Sequence, residues 1–171
     1  MKQTLTLLFL TIILVCGCKE NDMETVEYVD LEKFMGDWYV IAIIPNFIEK
    51  EAYNGIESYS RGEADKINIT YTFYKKNGEK KVMHPKAKVY DTQSNAEWRV
   101  QFIWPIKFPY LVVDLADDYR YTAVGVPNKK YVWIMSRTPQ MTEKDYNTVL
   151  ENLTEIGYDI EKIEKMKQIW E

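Results

Sequence analysis

Short stretches of alternating apolar and polar residues fill the middle of the chain and predict β-strands. Alternation is clearest at residues 67–73, and Asn77-Gly78 then supplies a typical hairpin turn. Alternation recurs at residues 86–90 and 98–102, and further candidate strands occupy residues 110–113, 119–126 and 131–135. Counted from Trp38, about eight strands are predicted with no helix between them, which favours an antiparallel sandwich or barrel. Eight strands can also close into a barrel that holds side chains or one small ligand.

A helical pattern follows the last of these strands. Thr142 and Asp145 have the spacing of a weak capping box, and apolar residues recur after them at helical intervals. Gly157 is suited to the C-terminal cap, and Asp159 to starting a short second helix that ends at Met166. The pattern therefore predicts an all-β domain whose barrel is covered by one C-terminal helix.

The first eighteen residues have a different pattern. Lys2 is followed by an apolar stretch at 5–15, which is too short for a membrane-spanning helix of about 20 residues but typical of a secretory signal peptide. The sequence Val15-Cys16-Gly17-Cys18 resembles the bacterial lipobox, which implies that Cys18 is lipidated and becomes the mature N-terminus. An ordinary signal peptide with a chance cysteine is the alternative.

These features predict three segments. Residues 1–17 form the signal peptide, residues 18–30 the lipidated cysteine and an acidic tether, and residues 31–171 the barrel with its helix. By the same resemblance, an aspartate after the lipid site would favour the inner membrane, whereas Lys19 favours a lipid anchor in the cell outer membrane. Which leaflet the domain faces stays open.

Composition narrows the function. A chain of 171 residues fits one domain, and its net charge of −4 argues against a nucleic-acid partner. The only histidine is His84, and both cysteines lie near the start, which excludes a cysteine–histidine zinc site and a disulfide framework. No residue stands out as a nucleophile or general base. The sequence therefore predicts a protein that is not an enzyme and needs no metal or cofactor.

Three separated motifs together resemble the lipocalin family. Gly36-x-Trp38 resembles the signature that opens the first lipocalin strand, and the segment around Tyr119 resembles the turn between the sixth and seventh strands. The Ser-Arg-Thr-Pro segment that contains Arg137 resembles the end of the last strand. The resemblance covers roughly residues 31–168 and, with the lipobox, is greatest to bacterial outer-membrane lipoprotein lipocalins.

The resemblance implies an eight-stranded antiparallel up-and-down β-barrel with one closed end. Trp38 would plug that end, and Arg137 would pack across its ring and donate to backbone carbonyls, two tasks that suit a planar guanidinium. Gly36 would allow the chain to approach the barrel wall. A catalytic or anion-binding role for Arg137 is the competing interpretation. The implied ligand is a fatty acid or a lysophospholipid.

The alternating strands suggest which side chains would line the ligand cavity, although simple core packing is an equally open role for each. The candidate lining residues are Val40, Ala42, Tyr71, Phe73, Ala87, Val89, Trp98, Val100 and Phe102. The alternative function is a structural or interaction lipoprotein of the envelope, with a filled barrel and no ligand. A homodimer also stays open.

Two loops are candidates for the mouth of the barrel. Residues 104–110 contain two prolines and several aromatic residues, so they form a loop or an edge. They could dip into lipid, gate the cavity, pack on the rim or form a dimer contact. In this family the loop that begins near residue 45 crosses the open end, which makes Phe47 and Ile48 candidates for a lid.

Overall fold

The structure, a computed structural model, describes residues 23–170, so the predicted signal peptide and Cys18 lie outside the described residues. Within that range the chain forms two α-helices, ten strands and one 3₁₀ turn. They are α1 (Leu31–Phe34), β1 (Gly36–Ile43), β2 (Tyr53–Arg61), β3 (Lys66–Tyr74), β4 (Lys80–Met83), β5 (Lys86–Val89), β6 (Glu97–Ile103), β7 (Ile106–Leu115), β8 (Tyr121–Gly125), β9 (Val132–Ser136), α2 (Glu143–Glu155), the 3₁₀ turn Ile160–Lys162, and β10 (Glu164–Lys165).

The strands close into an antiparallel barrel. Neighbours in sequence pair with each other around the sheet, and β9 returns to pair with β1. Strands β4 and β5 both pair with β3, on successive halves, so they act as one strand interrupted at His84 and Pro85. Proline has no N–H to donate to the ladder, which accounts for the break. The eight strand positions confirm the predicted barrel.

The hairpin connections define two ends of the barrel. The loops 62–65, 90–96 and 116–120 lie at the closed end, where α1 packs across the opening. The loops 44–52, 75–79 and 126–131 and the β6–β7 turn lie at the open end. Helix α1 is fixed by Asp30, whose carboxylate accepts hydrogen bonds from the first backbone N–H groups of the helix.

Two apolar clusters lie on opposite faces of the sheet. One fills the barrel interior, and the other lies between the barrel and α2. Helix α2 begins where the Thr142 side chain accepts from the Asp145 N–H, and it buries Tyr146, Val149 and Leu153 against the barrel. The helix therefore covers one wall, as its periodicity predicts.

Strand β1 contains a bulge that corrects one expected lining residue. Val40 pairs with Met135 but Ala42 pairs with Ile134, so Ile41 is an extra residue in the ladder. The extra residue reverses the alternation, because a one-residue slip moves side chains to the other face. Ala42 consequently packs beneath α2, and Ile43 takes the interior position instead.

The C-terminal segment forms part of the barrel wall. The predicted second helix at residues 159–166 is only a 3₁₀ turn, after which β10 pairs with the open-end half of β1. Lys167 bridges to Tyr53 of β2, so the segment fills a gap between β1 and β2. Gly55 leaves room for the Met166 side chain, whose sulfur would lie 2.7 Å from an added Cβ.

The chain from residue 23 to residue 30, predicted as a tether, packs against the barrel, with Met23 in the cluster beneath α2 and Val29 in the interior cluster. The Val26 N–H donates to the Val112 carbonyl at 3.0 Å, and Val29 is fully buried. Met23 lies beside Gly125 at the open-end limit of β8. No helix within residues 23–170 is long and apolar enough to cross a membrane.

Candidate functional site: the barrel interior and its two ends

The closed end is sealed around Trp38. Its ring is fully buried, and its indole N–H donates to the Phe34 carbonyl at 2.8 Å. The Arg137 guanidinium carbon lies 3.7 Å from the centroid of the indole ring. Arg137 also donates to the carbonyl oxygens of Lys33 at 2.5 Å and Asp37 at 2.9 Å. One side chain thus covers the ring and satisfies backbone oxygens from two adjoining segments.

Gly36 and Tyr119 complete this end. Gly36 has a φ of +96°, and a Cβ there would meet the Arg137 guanidinium at 3.4 Å. Tyr119 accepts a hydrogen bond from the Asp30 N–H at 2.8 Å, which fixes the segment before α1 to the β7–β8 turn. The four residues of the lipocalin signature therefore lie together at the closed end, in structural contacts with backbone.

Seven of the nine expected lining residues lie in the interior cluster. Each of them retains 5% or less of its accessible surface, so they pack against one another and against neighbouring core residues. They are Val40, Tyr71, Phe73, Ala87, Val89, Trp98 and Val100. The two corrections are Ala42, which faces α2, and Phe102, which is 43% exposed because β6 runs past the interior at the open end.

A polar cluster lies among these apolar side chains. Glu57 on β2 is buried and accepts hydrogen bonds from the phenol groups of Tyr59 and Tyr110, the latter at 3.0 Å. The two tyrosine hydroxyls also contact each other. Residues two apart on one strand share a face, so Glu57 and Tyr59 both project inward. The sequence pattern does not single out Glu57, although the alternation of residues 55, 57 and 59 would place it on the inner face of β2.

A second buried carboxylate comes from the open-end loop. Glu49 accepts hydrogen bonds from the Tyr71 phenol at 2.8 Å and the Trp133 indole at 2.9 Å, and it also bonds to Asn46. The loop 44–52 therefore plugs the barrel with a charged residue, while Phe47, predicted as a lid, is 90% exposed. Glu49 was missed because Glu49-Lys50-Glu51 has the sequence of an exposed charged run.

Burial changes the acidity of both carboxyl groups. Desolvation raises the pKa of Glu57 to about 7, against the opposing effect of its two phenol donors, and the nearby Glu49 raises it further. Desolvation also raises the pKa of Glu49, although the bonds from Trp133 and Tyr71 favour its charged form. Within residues 23–170 neither carboxyl group forms an ion pair with a basic side chain, and no group of metal-binding side chains is found.

Two surface pockets adjoin the plug. A pocket of about 320 Å³ lies over the loop and carries three lysines among its lining residues: Phe47, Ile48, Lys50, Lys75, Lys76 and Asn77. A pocket of about 430 Å³ lies where the C-terminal segment meets the loop and is bordered by Ile43, Glu49, Ala52 and Met166. The second pocket reaches the interior cluster, to which Ile43, Ala52 and Met166 belong.

A closed eight-stranded antiparallel barrel with an apolar interior, one sealed end and one loop-covered end defines the class of small β-barrels whose interior is filled by side chains or holds one small ligand. The lipocalin-like domain family matches residues 29–168, and the chain belongs to this family. It is 31% identical over 164 residues to temperature-induced lipocalin-1 of Arabidopsis thaliana, covering 88% of this chain and 85% of that protein. It is 26% identical to the outer membrane lipoprotein Blc of Escherichia coli K12, covering 92% and 89% of the two chains.

Solved structures show the same fold. Lobster apocrustacyanin A1 superposes with a TM-score of 0.69 at 15% identity, covering 82% of this chain and 81% of that one. Insecticyanin from the tobacco hornworm Manduca sexta superposes with a TM-score of 0.68 at 21% identity, covering 85% and 84%. At these identities the likeness concerns the fold. Lipocalins are generally binding or transport proteins, and they typically bind small hydrophobic ligands.

Proposed function

We propose that this lipocalin binds one long-chain lipid, a fatty acid or a lysophospholipid, with its tail in the barrel. The observation that carries the proposal is the difference between the two barrel ends. The closed end is fixed by hydrogen bonds from Arg137 and Trp38 to backbone oxygens. The open end is filled by a loop and by the C-terminal segment, which can move without breaking the strand pairs of β3 to β9.

The interior suits the tail and not an anionic headgroup. Glu49 and Glu57 are both buried within it, and among the described residues neither forms an ion pair with a basic side chain. A carboxylate or phosphate beside them would therefore be desolvated without a cation to neutralise it. At the mouth, Lys50, Lys75 and Lys76 border the pocket over the plug. We therefore place the headgroup at these lysines and the tail inside, where it displaces the 44–52 loop.

Burial of the tail supplies the driving free energy for this exchange. Each buried methylene contributes ~0.8 kcal/mol, so a long acyl tail contributes on the order of 10 kcal/mol before the costs of immobilisation and loop opening. The ligand needs no specific hydrogen bond inside the barrel. This fits an interior whose lining is aliphatic and aromatic apart from the two carboxyl–tyrosine clusters.

We also propose that the protein is a lipoprotein, anchored in the outer membrane through acylated Cys18. The lipobox-like sequence around that residue supports the anchor. The relatives named outer membrane lipoprotein Blc support the location, at about a quarter identity over nearly the whole chain. Several acyl chains on one cysteine would hold the protein firmly, whereas a single chain binds weakly.

One observation favours a second candidate, an envelope lipoprotein whose filled barrel holds nothing. The seven interior residues named above are 5% exposed or less, so the conformation described has a packed interior. The two candidates differ in whether the plug opens. In the first, Glu49 leaves Trp133 when a lipid enters; in the second, that hydrogen bond persists.

Tryptophan fluorescence distinguishes the two candidates. The processed protein is titrated with palmitic acid and with a lysophospholipid, in the wild type and in Trp133→Phe. Lipid binding is expected to change the emission of the wild type and to lose most of that change in the variant, because Trp133 donates to Glu49. Trp170→Phe is the matched control, since the Trp170 ring packs edge-to-face against Tyr39, with 5.3 Å between the ring centroids, and forms no hydrogen bond with Glu49 in the described part of the chain. A titration without any spectral change and without retained lipid favours the filled barrel.

The anchor has its own test. Intact mass spectrometry of the protein purified from its host is expected to show cleavage before Cys18 and added mass of acyl chains. Cys18→Ser should abolish both and leave the precursor unprocessed. A mature protein that begins elsewhere, without acyl mass, would contradict the anchor but leave ligand binding untouched.

A further inference from the structure

The tip of the β6–β7 hairpin is an exposed apolar ribbon. All residues from 102 to 108 are exposed, and five of the seven are large and apolar. Trp104 is 82% exposed and Ile103 68%. The rings of Phe102 and Phe108 lie 6.3 Å apart between centroids. Contiguous exposed apolar surface of this kind indicates an interaction site.

The ribbon stands clear of the rest of the barrel. Strand β6 pairs with β5 only as far as Gln101, and β4 pairs with β3 rather than with β6. Beyond Gln101, the described partner of β6 is therefore β7 alone. On the other side of the mouth the loop 44–52 presents a second exposed apolar side chain, Phe47. The exposed apolar side chains of the hairpin and of the loop 44–52 indicate a partner that binds at the open end.

Charge at the two ends differs in sign. The open-end segments 44–52, 75–79, 102–108 and 126–131 contain six lysines and three glutamates. The closed-end loops 62–65, 90–96 and 116–120 contain five acidic residues and one arginine. The open end is thus basic in a chain whose net charge is −4. A basic surface that carries exposed aromatic residues complements an anionic lipid surface.

The three open-end glutamates contribute little negative charge to that surface. Glu49 is buried, Glu51 pairs with Lys76 at 2.5 Å, and Glu79 pairs with Lys81 at 2.5 Å. Among the ion pairs of the described residues, none involves Lys75 or Lys107. These lysines are therefore available to phosphate groups of a partner.

We propose that the open end docks on an anionic phospholipid bilayer, with the hairpin ribbon in the headgroup layer. Tryptophan is enriched at this depth of a membrane, because its ring is apolar and its N–H is polar. Lysines bury their stems and keep their ammonium groups near the phosphates. A lipid leaving the bilayer would then meet the mouth of the barrel directly.

The path of the N-terminal segment supports this orientation if Cys18 carries the anchor proposed above. Met23 lies beside Gly125 at the open end, five residues after Cys18. Five extended residues span at most about 17 Å. An acyl anchor on Cys18 would therefore hold the open end, and not the acidic closed end, near the membrane.

Quenching by brominated lipids tests the orientation. The processed full chain is bound to vesicles of equal parts phosphatidylcholine and phosphatidylglycerol with brominated acyl chains. We expect quenching of the wild type and loss of most of that quenching in Trp104→Phe. Trp170→Phe is the matched control and should keep it, because Trp170 packs on Tyr39. Equal quenching in both variants would overturn the docking of the ribbon.

The charge requirement is tested in the same vesicles. Lys107→Gln is expected to lower the ratio of docked to undocked protein about fivefold at low salt, as one lysine at an anionic surface predicts. Lys88→Gln is the control, since Lys88 pairs with Asp65 at the closed-end side of β5. Docking that is unaffected by Lys107→Gln, or equal on phosphatidylcholine alone, would contradict the electrostatic part of the proposal.

Mass spectrometry of the same sample separates this proposal from the proposed anchor. Quenching through Trp104 by a protein without acyl mass on Cys18 would leave the docking valid and the anchor wrong. An acylated protein without Trp104 quenching would leave the anchor valid and the docking wrong. A stable dimer on the vesicles, with Trp104 shielded from brominated lipid, would assign the ribbon to a second copy of the chain and overturn the bilayer as its partner.

Discussion

The closed and open ends of this barrel are shut by different kinds of interaction. At the closed end a buried indole, a guanidinium and backbone carbonyls satisfy one another, so that opening this end would expose several polar groups at once. At the open end the plug is Glu49, whose burial disfavours the charged carboxylate and raises the pKa of this carboxyl group. One end of the barrel is therefore closed by polar groups that satisfy one another, and the other by a buried carboxyl group whose desolvation opposes closure.

The two ends also use tryptophan in opposite ways. Trp38 is fully buried at the closed end, whereas Trp104 is largely exposed at the open end. The first ring stabilises the fold through packing, and the second contributes little to the fold and is free to contact a partner. Substitutions at matched positions of the two ends should therefore have very different effects on stability.

The largest expected effect concerns the buried ring. Trp38→Ala should lower the free energy of unfolding by ~3–5 kcal/mol, because it removes packing and leaves a cavity at the closed end. Trp104→Ala should change it by less than ~0.5 kcal/mol. Urea denaturation of both variants measures the difference. Similar losses in the two variants would mean that the ribbon is part of the core.

The second effect is a change of stability with pH that is caused by the buried carboxyl group of Glu57. The pKa of Glu57 is raised in the fold to about 7 from an ordinary value of 4.5, so the folded state binds the proton more tightly than the unfolded state. Its contribution to stability is thus fully present below pH 4.5 and is lost as the pH rises through about 7. Relative to Glu57→Gln, the wild type should lose up to about 3 kcal/mol between these values.

Denaturation of both proteins at a series of pH values measures that difference, and surface carboxyl groups cancel because both proteins carry them. Glu97→Gln is a suitable control, since Glu97 is only partly buried on β6 and pairs with Arg99. A stability difference between wild type and Glu57→Gln that does not vary with pH would show that Glu57 titrates normally.

A smaller effect is expected where the C-terminal segment closes the wall. Met166→Ala should cost ~2–3 kcal/mol by removing a buried side chain that packs on Val40 and Gly55. The same change should speed the entry of a lipid, because it loosens the segment between β1 and β2. Stopped-flow mixing with a fluorescent fatty acid measures the rate. An unchanged rate would place the entry path elsewhere at the mouth.

The smallest expected change in stability distinguishes the structural role of Arg137 from a catalytic or anion-binding role. Arg137→Lys keeps the charge but loses the planar contact with Trp38 and part of the hydrogen bonding to carbonyls, at a cost of ~1–2 kcal/mol. Lipid affinity should stay the same, because this residue lies at the sealed end. A loss of affinity without a loss of stability would instead support an anion-binding role.

The sequence predicts the architecture well because the alternation of apolar and polar residues identifies the strands and the three separated motifs identify the type of barrel. Alternation places Phe73, Val89 and Trp98 on the inner face, and the structure has them there. It fails at Ala42, since a single bulged residue is invisible in the pattern but reverses the face. It fails at Phe102 for another reason: alternation says which way a side chain points, not how far the barrel extends along the strand.

The polar part of the interior could not be predicted, and the reason is physical. Glu49 looks like an exposed loop charge in sequence, and only the path of the loop brings it to Tyr71 and Trp133, 22 and 84 residues away. The wall formed by residues 164–168 was likewise hidden, because an edge strand of two residues has no periodicity. Contacts between distant segments decide both features.

Amide hydrogen exchange with and without a long-chain fatty acid tests the contrast between the two ends most directly. Our account predicts slow exchange at residues 36–39 and 135–136 under both conditions, and a change on adding the lipid at residues 44–52 and 164–168. Exchange that responds to the lipid at the Trp38 end, or that stays the same in the Glu49 loop while lipid binds, would contradict it.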